Sequence, residues 1–125
     1  LGEMSRLTGN AVGWIQNHIL DSAKEFANQY NVTCVLKDFH TITANAYGLC
    51  YVNLTGNHGM ATAGSGDVLS GIIGSLLALG VDSESAAAMG VMIHGMAGDR
   101  GADVTGPAGL MAGDIIQGLC RLINT

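Results

Sequence analysis

Across residues 11–30 the apolar side chains Val12, Ile15, Ile19, Ala23, Phe26 and Tyr30 recur at intervals of three and four, with Gln16, Asn17, Asp21, Lys24 and Glu25 between them. That period places the apolar groups on one stripe and predicts an amphipathic helix. Asn31 ends it, and residues 32–36 form a β-branched apolar run that predicts a buried strand. Residues 41–44 and 49–53 flank the turn sequence at Asn45, Ala46, Tyr47 and Gly48, which predicts two short strands joined as a hairpin. Helix followed by strand predicts an α/β fold with a sheet flanked by helices.

Beyond Leu54 the period disappears. Residues 55–66 read TGNHGMATAGSG, and Asp67 then opens an apolar stretch to Leu79. A glycine-rich loop feeding a helix N-terminus is predicted. Gly80, Asp82 and Ser83 separate this helix from a second one, capped by residues 83–85 and running through Met92, Ile93 and Met96. A loop over residues 101–107 precedes a last helix over residues 112–123, with Asp114 at its start. Gly71 and Gly74 inside the first of these helices cost up to ~1 kcal/mol each relative to Ala, which predicts that another element packs closely there.

Composition narrows the function. A chain of 125 residues supports one small domain around one core, residues 1–125. Charged residues are only 12%, against about 25% for an ordinary soluble domain, so part of the apolar surface is expected to be covered by another subunit or by further chain. Net charge of -5, with no basic cluster, excludes a phosphate-tracking nucleic-acid binder. The apolar runs over residues 68–81 and 85–98 fall short of the ~20 residues of a membrane span, so no membrane partner is expected. Residues 1–20 lack a basic segment followed by an apolar run, and Cys34, Cys50 and Cys120 lack any paired spacing. Both observations predict a cytoplasmic protein with reduced, buried thiols.

The candidate chemistry lies in the loop. Amides of a glycine-rich turn, continued by the unpaired N–H groups and positive dipole end of a helix, form an anion site. Gly64, Ser65 and Gly66 ahead of the helix have that form, with no Cβ at two positions to obstruct a phosphate. A carboxylate at Asp67 would repel such a ligand unless it takes a proton from an attacking hydroxyl. Asp is equally a common helix N-cap, and spacing alone leaves both roles open. No Walker A pattern is present, and the dinucleotide fingerprint fails at its third glycine. His18 reads as solvated, His94 as a hydrogen-bonded core residue, Trp14 as packing, the methionines as core gap-fillers, and Asp99, Arg100 and Asp103 as a solvated helix end.

The run over residues 56–71, GNHGMATAGSGDVLSG, resembles the signature of the ADP/ATP-dependent NAD(P)H-hydrate dehydratases, a family of the ribokinase-like superfamily. Residues 35–43, VLKDFHTIT, are similar to its Lys-Gly-x-x-Thr nucleotide segment, with Asp38 in place of the glycine. Gly2, Glu3 and Met4 with Arg6 and Leu7 look like the end of its substrate segment, and His58 stands where the family pattern has Pro. The resemblance covers the whole chain, while the family domain is about twice as long. It therefore implies the C-terminal half of a ribokinase-like sandwich.

The activity implied is repair of hydrated NADH and NADPH (NADHX and NADPHX): ADP or ATP phosphorylates the ring hydroxyl, and loss of phosphate restores the double bond. Asp67 is implied as the catalytic base in contact with the hydrate, and Gly2 and Glu3 as further substrate contacts. The nucleotide would be held by Lys37, Asp38, Phe39, His40 and Thr41 together with Asn57, His58, Gly59, Met60, Ala61, Thr62, Ala63, Gly64, Ser65 and Gly66. Mg²⁺ would travel with the nucleotide, bound by phosphate and water without an all-protein cage. The expected partners are a second copy of the chain or the other half of the domain. Two rival expectations are a ribokinase-like kinase acting on a small alcohol, and a non-catalytic nucleotide-binding or assembly module.

Overall fold

The computed structural model describes residues 1–124, which pack as two units, Leu1–Asn53 and the residues from Leu54 onward. The first holds α1 (Gly2–Thr8), α2 (Val12–Asn17), α3 (Ile19–Tyr30), β1 (Cys34–Leu36), β2 (Ile42–Ala44) and β3 (Cys50–Val52). The single helix expected over residues 11–30 is interrupted at His18. There the ring Nδ1 hydrogen-bonds the Trp14 carbonyl at 2.8 Å and the two rings stack at 4.5 Å. A side chain that takes the carbonyl four residues back competes with the helical ladder, and the backbone turns aside at φ -130° before the helix resumes. Asn31 closes α3 in the left-handed region, as its residue type predicts.

The three strands form one antiparallel sheet in the order β1-β2-β3, with Leu36 opposite Ile42 and Ala44 opposite Cys50. The predicted hairpin is present, its strands shorter than expected by a residue or two. Asn45 builds the turn: its Oδ1 accepts the N–H groups of Tyr47 and Leu49, both at 2.9 Å. Helix α3 packs on β1 and β2, and Met4, Ile15, Ala23, Ala27, Leu36, Ile42 and Ala44 bury together.

The second unit is helical: α4 (Ser65–Ala78), α5 (Ser83–Thr105) and α6 (Ala112–Ile123), with 3₁₀ turns at His58–Met60 and Pro107–Gly109. Helix α5 lies against both α4 and α6, and Ala97, Leu110 and Ile115 bury together. The buried apolar residues gather in two clusters, one in each unit. Asp82, rather than residues 83–85, caps α5 by accepting the Ser85 N–H at 3.0 Å. That bond holds the Asp82 carboxyl below the usual carboxylate range.

Helix α5 continues to Thr105, into the loop predicted at residues 101–107. Its interior glycines are contact points, not breaks. A Cβ on Gly98 would run into the Met60 side chain, and one on Gly101 would lie 2.8 Å from Leu110 Cδ1 and 2.9 Å from the Asp114 carbonyl oxygen. A Cβ on Gly118 of α6 would collide with the Ala97 carbonyl, so the α5–α6 crossing admits no side chain there. The close packing expected at Gly71 and Gly74 is absent, since a Cβ at either would meet open space. Of the methionines read as gap-fillers, Met60 packs against the core, while Met89, Met92, Met96 and Met111 are exposed. Cys34 is buried as expected, but Cys50 is only partly covered and Cys120 is exposed.

Candidate active site

The loop begins with two anchors. The Gly56 N–H donates to Asp99 Oδ2 and the Asn57 side-chain amide donates to Asp99 Oδ1, each at 2.9 Å. Asn57 Oδ1 in turn accepts the Gly59 N–H at 3.1 Å and caps the 3₁₀ turn. Asp99 is therefore an interior position of α5 tied to the loop, not part of a solvated helix end. Sequence reasoning missed it because residues 42 apart carry no local signal; Arg100 and Asp103 do form an exposed pair at 3.9 Å.

At its far end the loop enters α4 through Gly64, which holds φ +84°, a value that L side chains rarely adopt. Ser65 is the first helical residue and Asp67 the third, so Asp67 is not the N-cap. The Ser65 hydroxyl is buried and hydrogen-bonds His94 Nε2 at 3.3 Å, and its N–H donates to the Thr62 carbonyl at 3.2 Å. The hydroxyl and the amide of Ser65 thus both have partners within the chain. His94 is the hydrogen-bonded core histidine that the sequence predicts.

Among the described residues, the N–H groups of Gly64, Gly66 and Asp67 find no backbone acceptor. They stand at the positive end of a fourteen-residue helix. The Asp67 side chain is exposed and makes no hydrogen bond or ion pair. A base and three free donors within one helical turn can accept an anion and a proton side by side. His58 and Ala63 are exposed, Met60 and Thr62 partly so.

Gly2, Glu3 and residues 37–41 lie in the first unit. Glu3 sits in α1, exposed, 3.3 Å from Arg6. Its carboxyl is held below the ordinary range chiefly by its own backbone N–H, with Arg6 and Lys37 adding to the effect. Lys37, Asp38, Phe39 and His40 are exposed on the β1–β2 connection, with Phe39 82% accessible and edge-on to His40 at 4.7 Å. His40 Nδ1 hydrogen-bonds the Asn53 carbonyl at 3.2 Å. No group of three His, Cys, Asp or Glu residues able to hold a metal occurs among the described residues, and no helix there is long and apolar enough to cross a membrane.

An antiparallel hairpin sheet backed by helices, and a glycine loop opening a helix that carries an exposed carboxylate, make this an α/β protein with a candidate anion site at a helix start. Residues 1–121 match the family model of the NAD(P)H-hydrate dehydratases, and the chain belongs to that family. It is 50% identical over 123 residues to the bifunctional NAD(P)H-hydrate repair enzyme Nnr of Thermofilum pendens, covering 98% of this chain and 24% of that one. It is 45% identical to the ADP-dependent (S)-NAD(P)H-hydrate dehydratase of Neisseria meningitidis over 90% of this chain and 38% of that one. The Bacillus subtilis ADP/ATP-dependent NAD(P)H-hydrate dehydratase, co-crystallised with ATP/Mg²⁺ and soaked with CoA, superposes with a TM-score of 0.92 at 33% identity, over 98% of this chain and 46% of that one. The chain thus spans between about a quarter and a half of these relatives.

Proposed function

We propose that this chain carries the phosphoryl-transfer end of an enzyme that dehydrates NADHX and NADPHX at the cost of ADP or ATP. The observation that carries the reading is the pairing of free Gly64, Gly66 and Asp67 amides with an unpartnered Asp67 carboxylate. Asp67 takes the proton of the ring hydroxyl as its oxygen bonds to the terminal phosphorus of the nucleotide. The bond from that phosphorus to the bridging oxygen breaks, and AMP or ADP departs. The free amides hold the negative charge on the phosphoryl oxygens during transfer. Inorganic phosphate then leaves the ring carbon, a proton leaves the neighbouring carbon, and the double bond returns. Mg²⁺ would arrive with the nucleotide, held by its phosphate oxygens and water, and would neutralise phosphate charge. The segment from Lys37 to Thr41 and the exposed loop residues His58, Ala61 and Ala63 are assigned to the nucleotide, and Gly2 and Glu3 to the hydrate.

The remainder of the family domain, from further chain or another copy, completes the enzyme, and the cytoplasm is its site. The unpaired cysteines support a reducing compartment. The test is incubation of the full-length protein with hydrated NADH, Mg²⁺ and ADP or ATP. Recovery of the reduced-nicotinamide absorbance with release of phosphate is expected. A phosphorylated hydrate that accumulates unchanged would mark a kinase, and no consumption of nucleotide would leave only a binding module.

A further inference from the structure

Asp99 stands half-buried on α5 with both carboxylate oxygens committed to the start of the loop, at the Gly56 N–H and the Asn57 amide. Asn57 is committed at both ends too, because its oxygen takes the Gly59 N–H. The three bonds form a relay from α5 through Asp99 and Asn57 into the 3₁₀ turn. The backbone around it has little room to rearrange: Gly56 holds φ +98°, and a Cβ at Gly59 would strike the Pro107 carbonyl. The Thr55 hydroxyl adds a further tie to the Met92 carbonyl of the same helix at 3.0 Å, and His94, five positions before Asp99, holds Ser65 at the loop's other end. A carboxylate close to a phosphate loop is tolerable where two donors already occupy it.

We propose that Asp99 and Asn57 are a positioning pair that fixes the glycine-rich loop in the shape that presents the free amides ahead of Asp67. Asn57 acts through the loop and not as a direct ligand of the nucleotide. The proposal rests on the functional reading above. It predicts that the pair can be exchanged. In the double variant Asn57→Asp/Asp99→Asn, the amide introduced at position 99 donates to the carboxylate introduced at position 57, whose second oxygen still accepts the Gly59 N–H. The carbonyl oxygen at position 99 still accepts the Gly56 N–H, and net charge is unchanged.

The experiment compares full-length wild type, Asp99→Asn, Asn57→Asp and the double variant for thermal midpoint, for kcat and for KM of the nucleotide. Each single variant is expected to lose about 10- to 100-fold in kcat/KM, mostly through nucleotide KM, and the double variant to recover most of that loss. Single variants that fail to fold beside a folded, active double variant support the pair equally. A double variant that is unfolded, or as impaired as Asn57→Asp, overturns it, as do single variants with lowered midpoints but unaltered kcat/KM. If wild type binds ADP without dehydrating the hydrate, the functional reading fails alone. ADP dissociation constants then decide the pair: the same ordering sustains it, and equal constants or no ADP binding by wild type overturn it.

Discussion

Ser65 and His94, 29 residues apart, meet through Oγ and Nε2 at 3.3 Å with both side chains buried. The contact joins the first residue of α4 to the middle of α5. Removing one partner of a buried hydrogen bond leaves the other desolvated, so Ser65→Ala is expected to destabilise the protein by about 1–2 kcal/mol. Urea unfolding monitored by circular dichroism checks this through the midpoint.

Asp67 has no partner to lose, so Asp67→Asn is expected to leave the unfolding midpoint nearly unchanged. Turnover should fall by about 10²- to 10⁴-fold if the carboxylate takes the hydroxyl proton. Nucleotide binding should persist, because the amides of Gly64, Gly66 and position 67 are main-chain groups. Calorimetric titration with ADP beside a turnover assay separates the two effects.

The glycines of the helical unit divide into two kinds, and Ala substitution should distinguish them by sign. Gly118→Ala pushes a methyl group into the Ala97 carbonyl and should cost about 1–3 kcal/mol. Gly71→Ala meets open space in a helix interior and should stabilise by up to about 1 kcal/mol. Chemical denaturation of both variants provides the comparison; destabilisation by Gly71→Ala would show that a further segment packs over that face.

Thiol chemistry should follow exposure. Cys120 is expected to react first with a disulfide reagent at neutral pH, Cys50 next and Cys34 last. Burial pushes the Cys34 thiol up to about 11 from an ordinary value near 9, and burial also raises Cys50. The folded state therefore holds the Cys34 proton where the unfolded chain has released it. Stability contributed by the neutral thiol is intact below about pH 9 and declines toward pH 11. Unfolding free energies measured across that interval, with Cys34→Ser as the reference, test the sign.

Local pattern made much of the fold legible. The α3 stripe, the hairpin at Asn45 and the start of α6 at Asp114 follow from neighbours within a few residues, which is the range over which period and turn chemistry act. His18 shows the limit: one side-chain bond to a carbonyl four residues back breaks a helix whose apolar period is intact. Gly101 was readable as a breaker only, because the reason for a glycine at a helix crossing lies on the other helix. The same holds at the site. Asp67 could be singled out from its place after Gly64, Ser65 and Gly66, whereas Asp99 and His94 gain their roles from chain folded back over dozens of residues. The partner of the Ser65 hydroxyl, His94, lies 29 residues away and leaves no local trace in the sequence.

Because α5 grips the loop at Met92, His94 and Asp99, the fold itself sets the amides of Gly64, Gly66 and Asp67 in place. An incoming phosphate has little main-chain disorder to quench there, so most of its attraction to those donors survives as net affinity. On the proposed function, capture at this helix start would be a matter of diffusion and charge, with the folding of the cradle settled in advance.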